Sequence, residues 1–172
     1  MNIALTGFMG TGKSSVGRKL ASRLSLGYAD TDDLIEEKAK MSVKDIFLRH
    51  GEYFFRDIEK EVISAFTRSR RGAVLCTGGG AVIDESTRKR LRKWGAVICL
   101  TASFETILKR VGDGDERPLL NRPDRKAFIQ ELMKKRERAY KDCDLMVDTT
   151  GKNAEEVTGE IIGFLASKGK GG

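Results

Sequence analysis

The chain has 172 residues, of which 32 are Lys or Arg and 25 are Asp or Glu, giving a formal net charge of +7. That length fits one domain with its own core, and a hydrophobic content of 40% argues against global disorder. No apolar run approaches the roughly 20 residues that span a bilayer, and residues 1–7 lack the features of a signal peptide. We therefore expect a cytoplasmic protein, whose positive charge favours anionic partners without choosing among them.

The three cysteines argue against a metal centre or a disulfide framework. Cys76, Cys99 and Cys143 are far apart, odd in number and outside the spacings of metal-ligand pairs. Cys76 and Cys99 lie inside apolar runs, where a buried and inert thiol is expected. A single histidine, His50, argues against zinc chemistry and against a Ser-His-Asp triad.

Short apolar runs alternate with helical patterns along the chain, which is typical of βαβ units and a parallel sheet. We predict helices over 51–66, 126–140 and 154–165, and a helix start at Ser42, which has Asp45 three residues on. These elements predict a small doubly wound α/β domain with its ligands at the carboxyl ends of the strands. The five predicted strands are 2–6, 27–29, 73–76, 96–100 and 145–147.

The clearest motif follows the first predicted strand. Residues 7–14 read GFMGTGKS, which matches the G-x-x-x-x-G-K-[ST] phosphate-binding loop between a strand and a helix. Its glycines let backbone N–H groups surround phosphate oxygens, and the following helix N-terminus adds positive potential. Lys13 should reach the β- and γ-phosphates, and the Ser14 hydroxyl should coordinate Mg²⁺. The motif predicts binding of a nucleoside triphosphate.

Two further strand ends carry polar or flexible residues. Residues 30–33 read DTDD after the second strand, so a carboxylate there could hold hydrated Mg²⁺ or orient an attacking hydroxyl. The alternative is that these acids only cap the next helix. The third strand ends in Thr77 and a triple glycine, Gly78, Gly79 and Gly80, with no acidic residue to serve the metal. Close backbone approach to a ligand or a plain flexible loop would each explain the glycines.

A polar segment rich in Gly and Pro, 112–124, has the character of a mobile lid. Such a lid excludes water from the triphosphate and can bring in an arginine, for which Arg117 is the candidate. Arg56 and Arg136, on the helices before the third strand and after the lid, could grip a carboxylate. The alternative for each arginine is an ordinary solvated position on a helix.

Taken together and in this order, the motifs resemble those of the shikimate kinase family over residues 2–166. The motifs that carry the resemblance are GFMGTGKS at 7–14, DTD at 30–32, FR at 55–56, GGGA at 78–81 and RPLL at 117–120. The resemblance implies a nucleoside-monophosphate-kinase-like P-loop fold with sheet order 2-3-1-4-5 and a single kinase domain over 1–166. It also implies a substrate-binding region about 31–60 and a lid about 112–124. We expect residues 167–172 to form a disordered tail.

The resemblance further implies the reaction and the role of individual residues. The chain would transfer the γ-phosphoryl group of ATP to the 3-hydroxyl of shikimate, in the synthesis of chorismate and aromatic amino acids, with Mg²⁺ as cofactor. The implied catalytic residues are Lys13, Asp32 and Arg117. The implied ATP-binding residues are Gly10, Thr11, Gly12, Lys13, Ser14, Ser15, Arg110, Arg117 and Asn153. Shikimate would bind Asp32, Arg56, Gly78, Gly79, Gly80 and Arg136, and the metal would bind Ser14 and, through water, Asp30.

One departure and two alternatives accompany the resemblance. Residues 153–156 read NAEE where the family often has Asn-Pro-Glu-Glu, which affects only the adenine site. Another small-molecule kinase of the same fold, such as a gluconate or nucleoside-monophosphate kinase, is the first alternative. A non-catalytic nucleotide-binding module is the second. We expect a monomer whose partners are ATP and shikimate, with no nucleic acid or membrane, and whose surplus of positive charge is mostly solvated surface, including Lys168 and Lys170.

Overall fold

Five parallel strands form the centre of the fold in the computed structural model, which describes residues 1–112, 120 and 123–168. The sheet order is β2-β3-β1-β4-β5, so the predicted fold class and strand order are confirmed. Because every pairing is parallel, the carboxyl ends of all strands meet at one edge. The strands are β1 (Ile3–Gly7), β2 (Gly27–Asp30), β3 (Ala73–Cys76), β4 (Ala96–Thr101) and β5 (Leu145–Asp148).

The described helices cover both faces of this sheet. Helices α1 and α7 pack on one face with the side chains of Ile3 and Leu5. The opposite face, which includes Ala4, packs against α3 to α6. Since both faces are covered, all five residues of β1 are buried, as expected for a central parallel strand. The helices are α1 (Lys13–Leu24), α2 (Thr31–Ala39), α3 (Val43–Ser69), α4 (Glu85–Trp94), α5 (Phe104–Val111), α6 (Arg125–Tyr140) and α7 (Ala154–Lys168).

Helices α2 and α3 build the region expected to bind the acceptor. The predicted start at Ser42 is confirmed, because its side chain accepts a hydrogen bond from the backbone N–H of Asp45. The chain then kinks at Gly51, where φ is 77° and ψ is 176°, before the helix continues. A small separate core holds α2 against α3, and it contains Ile35, Ile46, Phe55, Ile58 and Val62.

The last helix ends later than the sequence pattern indicates. Helix α7 runs to Lys168 rather than 165, so the first two residues of the expected tail are helical. The extension has a physical cause: the Lys168 ammonium lies 2.9 Å from the carboxylate of Asp144 and also packs over the Phe164 ring. Among the described helices, none has both the length and the apolar character to cross a membrane.

The structure describes only part of the predicted lid, namely residues 112, 120, 123 and 124. Leu120 is buried in the main core, and α6 begins at Arg125, one residue before its predicted start. Residues 113–119 and 121–122 lie outside the described residues, and so does the candidate Arg117.

Candidate active site

A cleft of about 580 Å³ opens at the carboxyl edge of the sheet. The ends of β1, β2 and β3 supply its floor, while α2 and α3 form one wall. The cleft brings together most of the predicted site residues that the structure describes: Gly10, Gly12, Lys13, Ser14, Ser15, Asp30, Asp32, Arg56, Gly78, Gly79, Gly80, Arg110 and Arg136. Residues that are distant in sequence therefore converge where a doubly wound fold places its ligands.

The loop after β1 has the backbone needed to surround an anion. Gly10 and Gly12 have φ values of 77° and 91°, a region that favours glycine, and Gly12 caps the N-terminus of α1. The Lys13 ammonium lies 2.8 Å from the carbonyl oxygens of both Gly7 and Phe8, so the side chain folds over its own loop. Backbone N–H groups, a helix N-terminus and one lysine thus meet at one point.

Asp30 connects this loop to the end of β2. Its Oδ2 accepts hydrogen bonds from the Ser14 hydroxyl at 2.9 Å and from the Tyr28 hydroxyl at 3.4 Å. Its Oδ1 accepts one from the backbone N–H of Asp32 at 3.1 Å, which caps α2. The Asp30 carboxylate therefore caps the helix and also contacts the phosphate loop.

Tyr28 is a member of this group that the sequence motifs did not identify. Burial, followed by the neighbouring Cys76 and Asp30, raises the pKa of the Tyr28 hydroxyl, which therefore stays protonated and donates. The ring packs beside Gly17 of α1, where an added Cβ would lie 3.0 Å from the ring and would collide with Cys76 Sγ. The Arg18 guanidinium lies 5.1 Å from the ring centre.

The donor set suits a hard cation that keeps most of its water. Ser14 and Asp30 offer two oxygen atoms 2.9 Å apart, beside the loop expected to hold phosphates. Within the described residues, no cluster of three or more His, Cys, Asp or Glu side chains could hold a metal without other ligands. Mg²⁺ typically binds through one or two protein oxygens together with phosphate and water, so these residues fit it.

The structure explains why glycine follows the third strand, which the sequence alone did not decide. An added Cβ at Gly80 would collide with the Arg56 guanidinium, and one at Gly78 would collide with the Glu59 carboxylate. The close approach is therefore made by protein side chains across the turn, rather than by a ligand alone. The turn is held further by Thr31, whose hydroxyl accepts a hydrogen bond from the Gly78 N–H at 2.8 Å.

Glu59 is the second site residue that the motifs missed. It is 2% exposed, and its Oε2 lies 2.7 Å from Nη1 of Arg56, one helical turn earlier on α3. Burial raises the pKa of the Glu59 carboxyl, although the Arg56 charge works in the opposite direction. The spacing of Arg56 and Glu59 on one helix was the available signal, but only the fold shows that the pair is buried.

Arg136 approaches the same turn from α6. It is 3% exposed, and its Nε has no hydrogen-bond partner among the described residues. Its Nη1 lies close to Gly79, whose carbonyl oxygen accepts a hydrogen bond from the Tyr140 hydroxyl at 2.6 Å. Burial raises the pKa of Tyr140 to about 12, so this hydroxyl remains a donor. Arg56 and Arg136 therefore flank one glycine turn, and Arg136 has bonding capacity that its protein surroundings do not use.

Of three further predicted ATP-binding residues, Arg110 and Thr11 contact the phosphate loop, and Asn153 caps a helix. Arg110 donates to the Thr149 side chain and carbonyl at 2.8 Å each, and to the Gly10 carbonyl at 3.3 Å. Asn153 does not line the cleft; its Oδ1 caps α7 by accepting from the backbone N–H groups of residues 155 and 156. The Thr11 side chain is buried beneath the loop and donates to the Phe8 carbonyl.

The predicted burial of two thiols is confirmed. Cys76 and Cys99 are buried, and burial raises their pKa values to about 12 and about 11. Cys76 lies next to the cleft, where its Sγ donates to the Lys13 carbonyl. Both thiols are protonated at neutral pH, so neither is a nucleophile in the folded protein.

Comparison with known proteins agrees with this geometry. The family model described as shikimate kinase matches residues 9–166. A shikimate kinase from Geobacter metallireducens is 47% identical over 167 residues, covering 97% of this chain and 93% of the relative. A solved structure, the shikimate kinase from Acinetobacter baumannii in complex with shikimate, is 34% identical with a TM-score of 0.93, covering 97% of this chain and 93% of that one. The shikimate kinase from Aquifex aeolicus is 30% identical with a TM-score of 0.84, and both chains are fully covered. The predicted resemblance is confirmed, and the chain belongs to the shikimate kinase family.

Proposed function

We propose that the chain transfers the γ-phosphoryl group of ATP to the 3-hydroxyl of shikimate, forming ADP and shikimate 3-phosphate. One observation carries the proposal: Arg56 and Arg136 flank the glycine turn next to the phosphate-binding loop. Paired guanidinium groups suit a carboxylate, and their place in the cleft suits an acceptor that carries a carboxylate besides its hydroxyl groups.

In this proposal, the phosphate loop and its lysine hold the triphosphate. Phosphoryl transfer asks the protein chiefly to position the reactants and to neutralise charge on oxygen. Lys13 leaves the carbonyl oxygens of Gly7 and Phe8 and binds the β- and γ-phosphates. Ser14 and, through water, Asp30 would hold Mg²⁺, which would offset the negative charge of the phosphate oxygens.

Asp32 is the proposed partner of the attacking hydroxyl. Its Oδ1 lies near Gly78 of the glycine turn, and Asp32 lines the same cleft as the phosphate loop. The carboxylate orients the 3-hydroxyl of shikimate and accepts its proton as the new oxygen–phosphorus bond forms and the bond to the β-phosphate oxygen breaks. The backbone of Gly79 and Gly80 contacts the ring, while Arg56 and Arg136 bind the carboxylate.

The remaining roles concern ATP. Arg110 and Asn153 border the proposed adenine site, with Thr11 and Ser15 contributing backbone N–H groups to the phosphates. Arg117, outside the described residues, is proposed to neutralise the transferred group. We also propose that the protein acts as a cytoplasmic monomer.

A coupled ADP-release assay with shikimate, gluconate and AMP as separate acceptors tests the proposal. We expect release with shikimate and only background rates with the other two. Release with gluconate or AMP in place of shikimate would assign the chain to another kinase of the same fold. No release with any acceptor, from protein that still binds ATP, would favour a non-catalytic module.

A further inference from the structure

The surplus positive charge of the chain is concentrated on one surface. Residues 68–93 contain eight basic and two acidic side chains, a net charge of +6 against +7 for the whole chain. The structure places the eight basic side chains of this segment near the end of α3 and along α4. The sequence alone indicated an ordinary solvated surface, but clustered like charge costs stability through repulsion, so its location is informative.

The two faces of α4 use their cations differently. Arg88 and Arg92 lie on one face and form ion pairs with Asp142, at 3.3 and 3.0 Å. Arg90 and Lys93 lie on the other face, are exposed, and have no ion-pair partner among the described residues. Lys89 is paired with Glu85 at 2.6 Å, so three basic residues of α4 are paired within the protein, while Arg90 and Lys93 keep their charge.

The unpaired face borders a groove of about 470 Å³ between α3 and α4, which we name the α3–α4 groove. Arg68, in the last turn of α3, donates to the Ser64 carbonyl, and Arg71, just beyond the helix, donates to the carbonyl groups of Thr67 and Arg70. These bonds hold the stems of both arginines and leave other guanidinium N–H groups facing outward. The five cations that line the groove are Arg68, Arg71, Lys89, Arg90 and Lys93.

The α3–α4 groove is remote from the candidate active site. Helix α3 leads into the start of β3, and α4 leads into the start of β4, so both helices end at the amino edge of the sheet. The cleft lies at the carboxyl edge, and none of the five groove cations lines it. The groove is therefore not part of the ATP or shikimate site.

The geometry favours a peptide over a nucleic acid as the occupant. Proteins that hold single strands combine cations with aromatic platforms on which bases stack. The aromatic residue of the groove, Trp94, is 7% exposed, and its Nε1 donates to the Arg70 carbonyl at 2.9 Å, so its ring is not available for stacking.

The spacing of the cations fits carboxylates along one face of a segment. Arg90 and Lys93 are three residues apart on α4, so two unpaired charges lie about 5–6 Å apart on that wall. Acidic residues one turn apart on a helix have the same spacing. We infer that the α3–α4 groove docks an acidic segment of a partner protein, through carboxylates that pair with Arg68, Arg71, Arg90 and Lys93.

Fluorescence anisotropy with a labelled glutamate-rich peptide tests the inference, with the same peptide carrying glutamine as the neutral probe. We expect the acidic peptide to bind at low ionic strength, the neutral one not to bind, and the affinity to fall as salt rises. Replacing Arg90 and Lys93 together by glutamine should weaken binding about tenfold, because each exposed pair contributes up to about 1 kcal/mol.

Arg92→Gln is the matched control, because Arg92 lies on the same helix but faces Asp142. We expect Arg92→Gln to bind the peptide like the wild type. Both this variant and the one with Arg90 and Lys93 replaced should keep the turnover rate of the wild type. The inference is wrong if the acidic peptide does not bind, or if Arg92→Gln weakens binding as much as the joint replacement of Arg90 and Lys93. Tighter binding of a thymidine oligonucleotide of equal charge would also overturn it, in favour of a nucleic-acid surface.

Discussion

Gly80 shows how a single absent side chain shapes the acceptor site. Its φ of −98° and ψ of −10° are open to any residue, so the backbone does not require glycine there. The requirement comes from Arg56, whose guanidinium occupies the space that a Cβ would fill. Arg56 is in turn paired with the buried Glu59, so the arginine has little freedom to move aside.

We predict that Gly80→Ala raises the KM for shikimate on the order of tenfold, because displacement of Arg56 weakens a charge-assisted bond to the carboxylate. The KM for ATP should stay within about twofold, since Arg56 does not border the phosphate loop. Steady-state kinetics with each substrate varied in turn provides the measurement.

Gly163→Ala is the control for that variant. Gly163 lies within α7, and an added Cβ there would have no neighbour within 4 Å. This exchange should leave both KM values unchanged and raise stability by up to about 1 kcal/mol through helix propensity. An unaltered shikimate KM in Gly80→Ala would show that Arg56 does not hold the acceptor.

The Tyr28 hydroxyl provides a second residue-scale test. Tyr28→Phe keeps the ring packed beside Gly17 and removes only the 3.4 Å hydrogen bond to Asp30. Loss of a bond worth about 0.5–1 kcal/mol should raise the Mg²⁺ concentration for half-maximal rate about threefold, with the shikimate KM unchanged. Tyr53→Phe, at an exposed position, should have no effect. An unchanged Mg²⁺ requirement in Tyr28→Phe would remove Tyr28 from the metal site.

At the scale of elements, Asp84 governs the start of α4. Its carboxylate accepts from the backbone N–H of Thr87 and from the Ser86 and Thr87 hydroxyls, and it pairs with Lys60 at 2.9 Å. Burial works against ionisation, but these hydrogen bonds outweigh it and lower the pKa of Asp84 well below its ordinary value of 3.8. A lowered pKa means that the stabilisation is present above pH 3.8 and is lost as the pH falls through the folded-state pKa.

We predict that Asp84→Ala lowers the free energy of unfolding by about 1–2 kcal/mol at pH 7, the usual contribution of an N-cap. The difference from the wild type should shrink below about pH 4, because the Asp84 carboxyl of the unfolded chain then takes up a proton that the folded state does not. Urea unfolding at pH 7 and at pH 3 measures both effects. Glu85→Ala, which loses only an exposed pair with Lys89, should change stability by less than about 0.5 kcal/mol. Equal losses in the two variants would contradict the role of Asp84.

The sequence predicted the strands more accurately than the ends and connections of the helices. All five strands were predicted to within one residue at either end, because buried runs bounded by turn residues give a local signal. The joining of the helix that starts after Ser42 to the one predicted at 51–66 was missed. It depends on the positive φ of Gly51 and on the packing of α2 against α3. The late end of α7 similarly depends on a long-range ion pair between Lys168 and Asp144.

Across the whole molecule, the phosphate loop could be predicted because its chemistry lies within eight consecutive residues. The acceptor site is different, since Arg56, Glu59, Gly80 and Arg136 come from separate elements and meet only in the fold. Family resemblance supplied the two arginines and the glycine, whereas the buried pairing with Glu59 came from the structure alone. The location of the positive charge could not be predicted from the sequence either. Net charge does not show that α4 carries its cations on two different faces.

The central claim is that one cleft holds the ATP phosphates and the carboxylate of shikimate together. The most direct measurement compares kcat/KM for ADP release with shikimate and with its methyl ester, which keeps the hydroxyl groups but has no charged carboxylate. We predict efficient turnover of shikimate and a kcat/KM lower on the order of 10²-fold with the ester. The reason is the loss of charge-assisted hydrogen bonds to the carboxylate, which contribute about 2–3 kcal/mol. Equal efficiency with the two acceptors, or no turnover of shikimate, would contradict the claim.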